Sequence, residues 1–125
     1  MILLNYAHPL TPAQLEQVTV LLGKQLEIRQ VPVHVDRGQP LADVARQLTD
    51  AAGLSPEEWQ TEELVINPPG LAPLALTLIA EIHGRRGDFP PILNIRPVPD
   101  TVPTRYEIAE IVNLTAVRLA ARSRR

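Results

Sequence analysis

Four short apolar segments, each followed by a stretch of helical periodicity, predict an α/β domain built on an open parallel sheet. The segments are Ile2 to Asn5, a strand within Leu26 to Val35, Leu64 to Ile66, and Ile92 to Arg96. The first and third are apolar at successive positions, the pattern of strands covered on both faces, and so belong in the middle of the sheet. Right-handed crossovers then give four strands in the order 2-1-3-4 with helices on both faces. The chain reverses direction between strands one and three, and ligands of such sheets bind outside the carboxyl ends of the strands at that reversal.

The first helix opens with Thr11 as N-cap, Pro12 at the first helical position and Gln14 completing a capping box, while Leu10 and Leu15 are placed for a hydrophobic staple. Leu15, Val18 and Leu22 form its inner stripe and Gly23 ends it. In the second strand Leu26 and Ile28 alternate with polar residues, and Pro32 cannot donate to a ladder, so it reads as an edge. A second helix runs from about Leu41 to Ala52, with Leu41, Val44, Ala45 and Leu48 inward and Gly53 as stop. Ser55-Pro56-Glu57-Glu58 is another capping box and starts a short turn carrying Trp59.

The helix after strand three has Pro73 in its first turn and reaches about His83, with Gly84 as its stop. Strand four carries Asn94 and Arg96, precedes Pro97, and reads as the other edge. A last helix is expected to open at Thr104, with Glu107 closing a capping box and Ile108, Ile111, Val112 and Leu119 packing inward. The whole of residues 1–125 reads as a single domain.

With 125 residues and 45% hydrophobic content, such a domain buries roughly two thirds of its unfolded surface without a staple. Cysteine is absent and the three histidines lack ligand spacing, so neither thiol chemistry nor a metal site is expected. The net charge of −2 argues against binding long nucleic acid, which needs clustered basic residues. No cleavable basic leader and no apolar run of about 18 residues is present, so a cytoplasmic protein without membrane contact is expected. Eleven of the twelve basic residues are Arg, whose forks suit phosphate; codon bias accounts for the same excess.

Two loops face the chain reversal: Asn5-Tyr6-Ala7-His8-Pro9-Leu10-Thr11-Pro12 and Asn67-Pro68-Pro69-Gly70. The start of the first helix points backbone N–H groups and a positive dipole end toward the crevice. Asn5 and His8 add donors, and Tyr6 offers a ring on which a base stacks. Pro68 and Pro69 stiffen the second loop, and Gly70 allows close approach to the main chain. His8 is the single acid–base candidate there. Asp36, Arg37 and Arg96 lie on the same rim as phosphate or ribose contacts. Each feature also has a purely structural reading, since capped helices, Pro-Pro-Gly turns and solvated loop charges are common. No glycine-rich dinucleotide fingerprint and no Walker loop is present.

His83-Gly84-Arg85-Arg86-Gly87 falls at the opposite rim, where it serves as a helix end with basic residues matching the dipole, or else meets a ligand or second subunit stacked head to tail. Arg118, Arg122, Arg124 and Arg125 read as a solvated, dipole-matched helix end.

The segments LLNYAHPLTPAQ at 3–14 and NPPGLAPLALTLIAEIHGRRGDFPPILNIRPV at 67–98, with the four-unit layout, resemble the small accessory proteins of type III CRISPR systems. These are related to the CARF (CRISPR-associated Rossmann fold) domain and are ring-nuclease-like. The resemblance implies a Rossmann-like fold that binds cyclic oligoadenylate, most often cyclic tetra-adenylate, usually across the two-fold axis of a homodimer. It implies antiviral signalling dampened by sequestration or by metal-independent cleavage, with no cofactor. Asn5, Tyr6, Ala7 and His8, with Asn67, Pro68, Pro69 and Gly70, become ligand contacts on that basis, and His8 with an Arg such as Arg37 or Arg96 the catalytic candidates. A competing reading from another class is a protein–protein interaction module of the same fold, its apolar helices forming an oligomer, with no nucleotide site.

Overall fold

The computed structural model describes residues 1–125. Its elements are β1 (Ile2–Asn5), α1 (Pro12–Leu22), β2 (Glu27–Gln30), α2 (Leu41–Ala51), α3 (Pro56–Thr61), β3 (Leu64–Asn67), α4 (Ala72–Arg86), β4 (Ile92–Pro97), β5 (Tyr106–Val112) and α5 (Leu114–Arg122). The sheet has five strands in the order β2-β1-β3-β4-β5. The α/β class is as expected, and β1 and β3 are central, with β1 hydrogen-bonded in parallel to both β2 and β3.

The pleat of β1 sorts the core into two layers. Ile2, Leu4 and Tyr6 face one side, where Val44 and Leu48 of α2, Trp59 of α3, and Leu74, Leu78 and Ile82 of α4 cover them. Leu3 faces the other side and packs with Val18 of α1, Val65, Leu93 and Ile108. The capping boxes at Thr11/Gln14 and Ser55/Glu58 are both formed. In the second, hydrogen bonds from the Ser55 backbone and side chain hold the Glu58 carboxyl below its ordinary range.

Three expectations fail. The sheet has five strands, not four, because residues 106–112 form β5, antiparallel to β4, where a helix from Thr104 was expected. The true helix, α5, starts only at Leu114, where the Asn113 side chain accepts from the Ala116 N–H at 2.9 Å. As a consequence β4 is not an edge. The third failure is at Gly84: α4 runs through it and stops at Gly87, whose φ of +89° is the left-handed cap. The extra turn keeps Arg85 and Arg86 in helical register. Arg86 donates to the carbonyls of Trp59 at 2.8 Å and Glu62 at 2.9 Å. Arg85 pairs with Asp50 and Glu81; burial works to lower its pKa, and the bonds to those two carboxylates outweigh that and raise it. Both arginines of the opposite rim are thus engaged in tying α4 to α2 and to the α3–β3 link.

β5 is the exposed edge, and α1 serves it with side chains. The Gln17 carboxamide oxygen accepts from the Ile108 N–H at 2.9 Å, and Gln14 donates to the Tyr106 carbonyl at 3.1 Å. Ile108 sits at the irregularity where β5 carries one residue more than β4: Glu110 opposes Asn94, Ile108 opposes Ile95, and Ala109 is extra. Gln17→Ala leaves that N–H without its acceptor. The expected outcome is a loss of about 1 kcal/mol in urea unfolding, with Gln17→Glu, which keeps an accepting oxygen, losing less.

Candidate functional site

Where β1 and β3 end, each places an asparagine side by side in register. Asn5 is fully buried and Asn67 almost so. The Asn67 carboxamide donates to the Asn5 side-chain oxygen at 2.9 Å. That oxygen also accepts from the Ala7 N–H at 3.0 Å, and the Asn5 amide donates to the His8 carbonyl at 3.0 Å. The Tyr6 N–H donates to the Asn67 carbonyl and the Val31 N–H to the Asn5 carbonyl, each at 2.9 Å. Thus the loops after β1, β2 and β3 are fastened together by these two residues.

In front of this knot lies a cavity of about 350 Å³. Tyr6, Ala7 and His8 border it from the β1 loop, Gln30 to Val33 and Val35 from β2 and the segment after it, and Pro69, Gly70, Leu71 and Leu74 from the entry of α4. Its lining is mainly apolar, and the exposed His8 is its one titratable group besides the buried Tyr6 phenol. The Gln30 amide donates to the Ala7 carbonyl at 2.7 Å, holding the β1 loop against β2.

The chain reversal thus carries a cavity, but not with the expected lining in full. Ala7, His8, Pro69 and Gly70 border it. Asn5 and Asn67 are outside its lining and act as supports: the Asn5 amide is engaged through both oxygen and nitrogen, and the Asn67 amide nitrogen is given to Asn5. Tyr6 is 2% exposed, and its hydroxyl donates to the Leu48 carbonyl at 3.3 Å. Its ring is therefore part of the core beneath the cavity and is not free to stack on a base. Burial holds its phenol protonated well above the ordinary tyrosine range, against a smaller opposing effect from Arg85.

Pro68 is outside the lining, next to Pro69. Asp36 and Arg37 follow Val35, the last lining residue of that loop; the Asp36 carboxylate accepts from the Gly38 N–H at 2.9 Å, and Arg37 is exposed. Arg96 stands two strands away from β1 and pairs with Glu107 at 2.9 Å. The geometry does not bring Arg96 to the cavity.

The helix aimed at the cavity is α4, not α1. α1 packs on the other layer of the core, and Thr11 and Gln14 occupy its first N–H groups. α4 enters through Leu71 with no capping side chain, and Pro73 lacks an N–H. The N–H groups of Ala72 and Leu74 have no intrahelical partner at the positive end of this 15-residue helix; Leu74 is fully buried and Ala72 exposed, so the Ala72 N–H is the one open to a ligand. Gly70 lies at the mouth. A Cβ built there meets no atom within 4 Å, and its φ is not in the left-handed region, so the backbone accepts a side chain and the space in front of it is open.

Val31, Pro32, Val33 and Val35 are the part of the lining that the sequence alone did not mark. Its signal is an alternation of valines that continues past the end of β2 into an unpaired loop. No group of three or more His, Cys, Asp or Glu side chains is placed to hold a metal ion, and no helix is long and apolar enough to cross a membrane.

Asn5→Ala removes the acceptor for Ala7 and Asn67 and the donor to His8 together, and is expected to cost about 2–3 kcal/mol in urea unfolding. For Tyr6, the stability that comes from keeping the phenol neutral is complete below the ordinary tyrosine pKa of about 10. It is lost as pH rises above that, because the unfolded chain ionises first. Alkaline titration by absorbance should show Tyr6 ionising only as the protein unfolds, and Tyr6→Phe should flatten the alkaline decline in thermal stability.

Comparison with protein-family models, with curated proteins and with solved structures gives no match to this chain.

Proposed function

We propose that the chain binds a cyclic oligoadenylate, cyclic tetra-adenylate first among them, in the cavity at the chain reversal, and that it dampens type III CRISPR signalling by holding the ring. The observation that carries the proposal is the pairing of an apolar cavity with the uncapped start of α4. An apolar wall accommodates a nucleobase, and a free N–H at a helix start donates to a phosphate. The sequence resemblance supplies the identity of the ligand.

The cavity, at about 350 Å³, lies at the small end of the range for ligand sites, roughly 300–1,000 Å³. It has room for one nucleoside of a ring and not for the ring as a whole. A ring would therefore be shared between copies of the chain, each taking one or more of its nucleotides.

Sequestration is favoured over cleavage by the chemistry of the lining. Cleavage through the ribose 2′-hydroxyl needs the oxygen held in line with the phosphorus–oxygen bond that breaks, a base for its proton, and donors for the charge that builds on the phosphoryl oxygens. The Ala72 N–H is a donor of that kind, and His8 is the one acid–base side chain at the rim. Arg96 is neutralised by Glu107 away from the cavity. With a single acid–base group and no cation in the lining, turnover is slow beside binding.

The test is incubation with labelled cyclic tetra-adenylate, reading retention on a native gel and products on a denaturing gel from the same tube. Retention of the intact ring is expected, with His8→Ala retaining it as well. Gly70→Leu should leave the melting temperature within a degree or two and weaken binding by more than about tenfold, since its side chain projects into the open mouth. If no ring size is retained by the wild type, the proposal fails; if linear product accumulates quickly and His8→Ala abolishes it, the protein is a ring nuclease.

A further inference from the structure

We infer that the chain self-associates by laying α5 of one copy in the groove between α1 and β5 of another. α5 buries none of its residues. Leu114, Val117 and Ala121 recur at i, i+3 and i+7 and form an apolar stripe along it, yet Val117 is 58% exposed. Arg118 and Arg122 flank that stripe one turn apart, and every charged side chain of the helix is basic.

The groove is a second open space, about 540 Å³ in volume, whose apolar lining comes from Ala13, Val20, Leu21 and Ile108. Val20 is 73% exposed. Its charged lining is wholly acidic: Glu16 on α1, which is exposed and has no ion-pair partner, and Glu107 on β5, shared with Arg96. An apolar stripe edged with arginines thus meets an apolar trough edged with glutamates, both furnished by one sequence.

The chain does not fill its own groove. No residue of α5 lines it, and none belongs to either core cluster. The groove lies beside the start of β5, whereas α5 departs from the far end of that strand, about 17 Å away at the usual rise per residue. The Thr115 hydroxyl donates to the Phe89 carbonyl at 3.2 Å and holds the first turn of α5 by the entrance to β4. The occupant is therefore a second copy. A two-fold exchange, each helix in the other's groove, satisfies both stripes at once and closes the assembly. The inference uses neither the cavity nor its ligand, so it stands or falls separately from the proposed function.

Sedimentation velocity on the full chain without ligand, over a wide concentration series, tests it. A dimer is expected that weakens as salt is raised. Val117→Asp should raise the dissociation constant by at least about tenfold, the loss expected for one apolar anchor, with a thermal melt matching the wild type at concentrations where both are monomeric, because Val117 belongs to neither core cluster. Arg118→Glu with Arg122→Glu should weaken the dimer similarly, and adding Glu16→Arg should restore it. A wild type that stays monomeric overturns the inference. So does a dimer indifferent to Val117→Asp, and so does a failure of Glu16→Arg to compensate, since the helix would then be docked elsewhere.

Discussion

The side-chain bond between Asn5 and Asn67 is the constraint on which the rest of the candidate site depends. Two buried amides at the ends of the central strands must find partners, because a buried polar group left unpaired costs more than a made hydrogen bond gains. They find them in each other and in the loop that follows β1. That solution fixes where the β1 loop turns, brings His8 to the rim, and through the backbone bond from Val31 to Asn5 draws the β2 loop over the opening. The residues that looked most like ligand donors in the sequence are the ones that hold the walls of the cavity in place.

The two layers of the core then decide what the cavity offers. A right-handed connection from β1 to β2 sends α1 to one face, and the long connection from β2 to β3 and the one from β3 to β4 send α2, α3 and α4 to the other. The cavity opens on the second face, so the helix start that meets it belongs to α4. The absence of a capping side chain at Leu71, a small defect in the helix taken alone, leaves polar groups free at the one place where the apolar wall lacks them.

The central strands, α1 and the capped turn at Ser55 were legible because their patterns have one interpretation each. β5 was not, and the cause is the extra residue at Ala109. Ile108 and Ile111 are three apart, a helical spacing, yet opposite Ile95 and Leu93 they fall on one face of the sheet because the bulge shifts the alternation by one. Thr104 and Glu107 imitate a capping box on top of it. Gly84 misled in a simpler way: glycine ends a helix only where the backbone turns left-handed, and it is Gly87 that does so. Tyr6 could have been placed from the pleat alone, since it shares a face with Ile2 and Leu4. The lining valines of the β2 loop belong to no regular element, and only the folded chain shows what they enclose.

β1 pairs with β2 at a separation of 25 residues and with β3 at 62, as the register of Ile2 with Glu27 and Leu64 shows. The cavity draws on all three segments, so no local unit of the chain contains it. Contacts of such long separation carry a larger loop-closure cost and slow folding. A partly folded chain that keeps its capped helices but lacks the junction of β1 with β3 has nowhere to seat a ligand. Occupancy of the cavity would therefore report on the joining of β2, β1 and β3, and would brace segments far apart in sequence rather than a single loop.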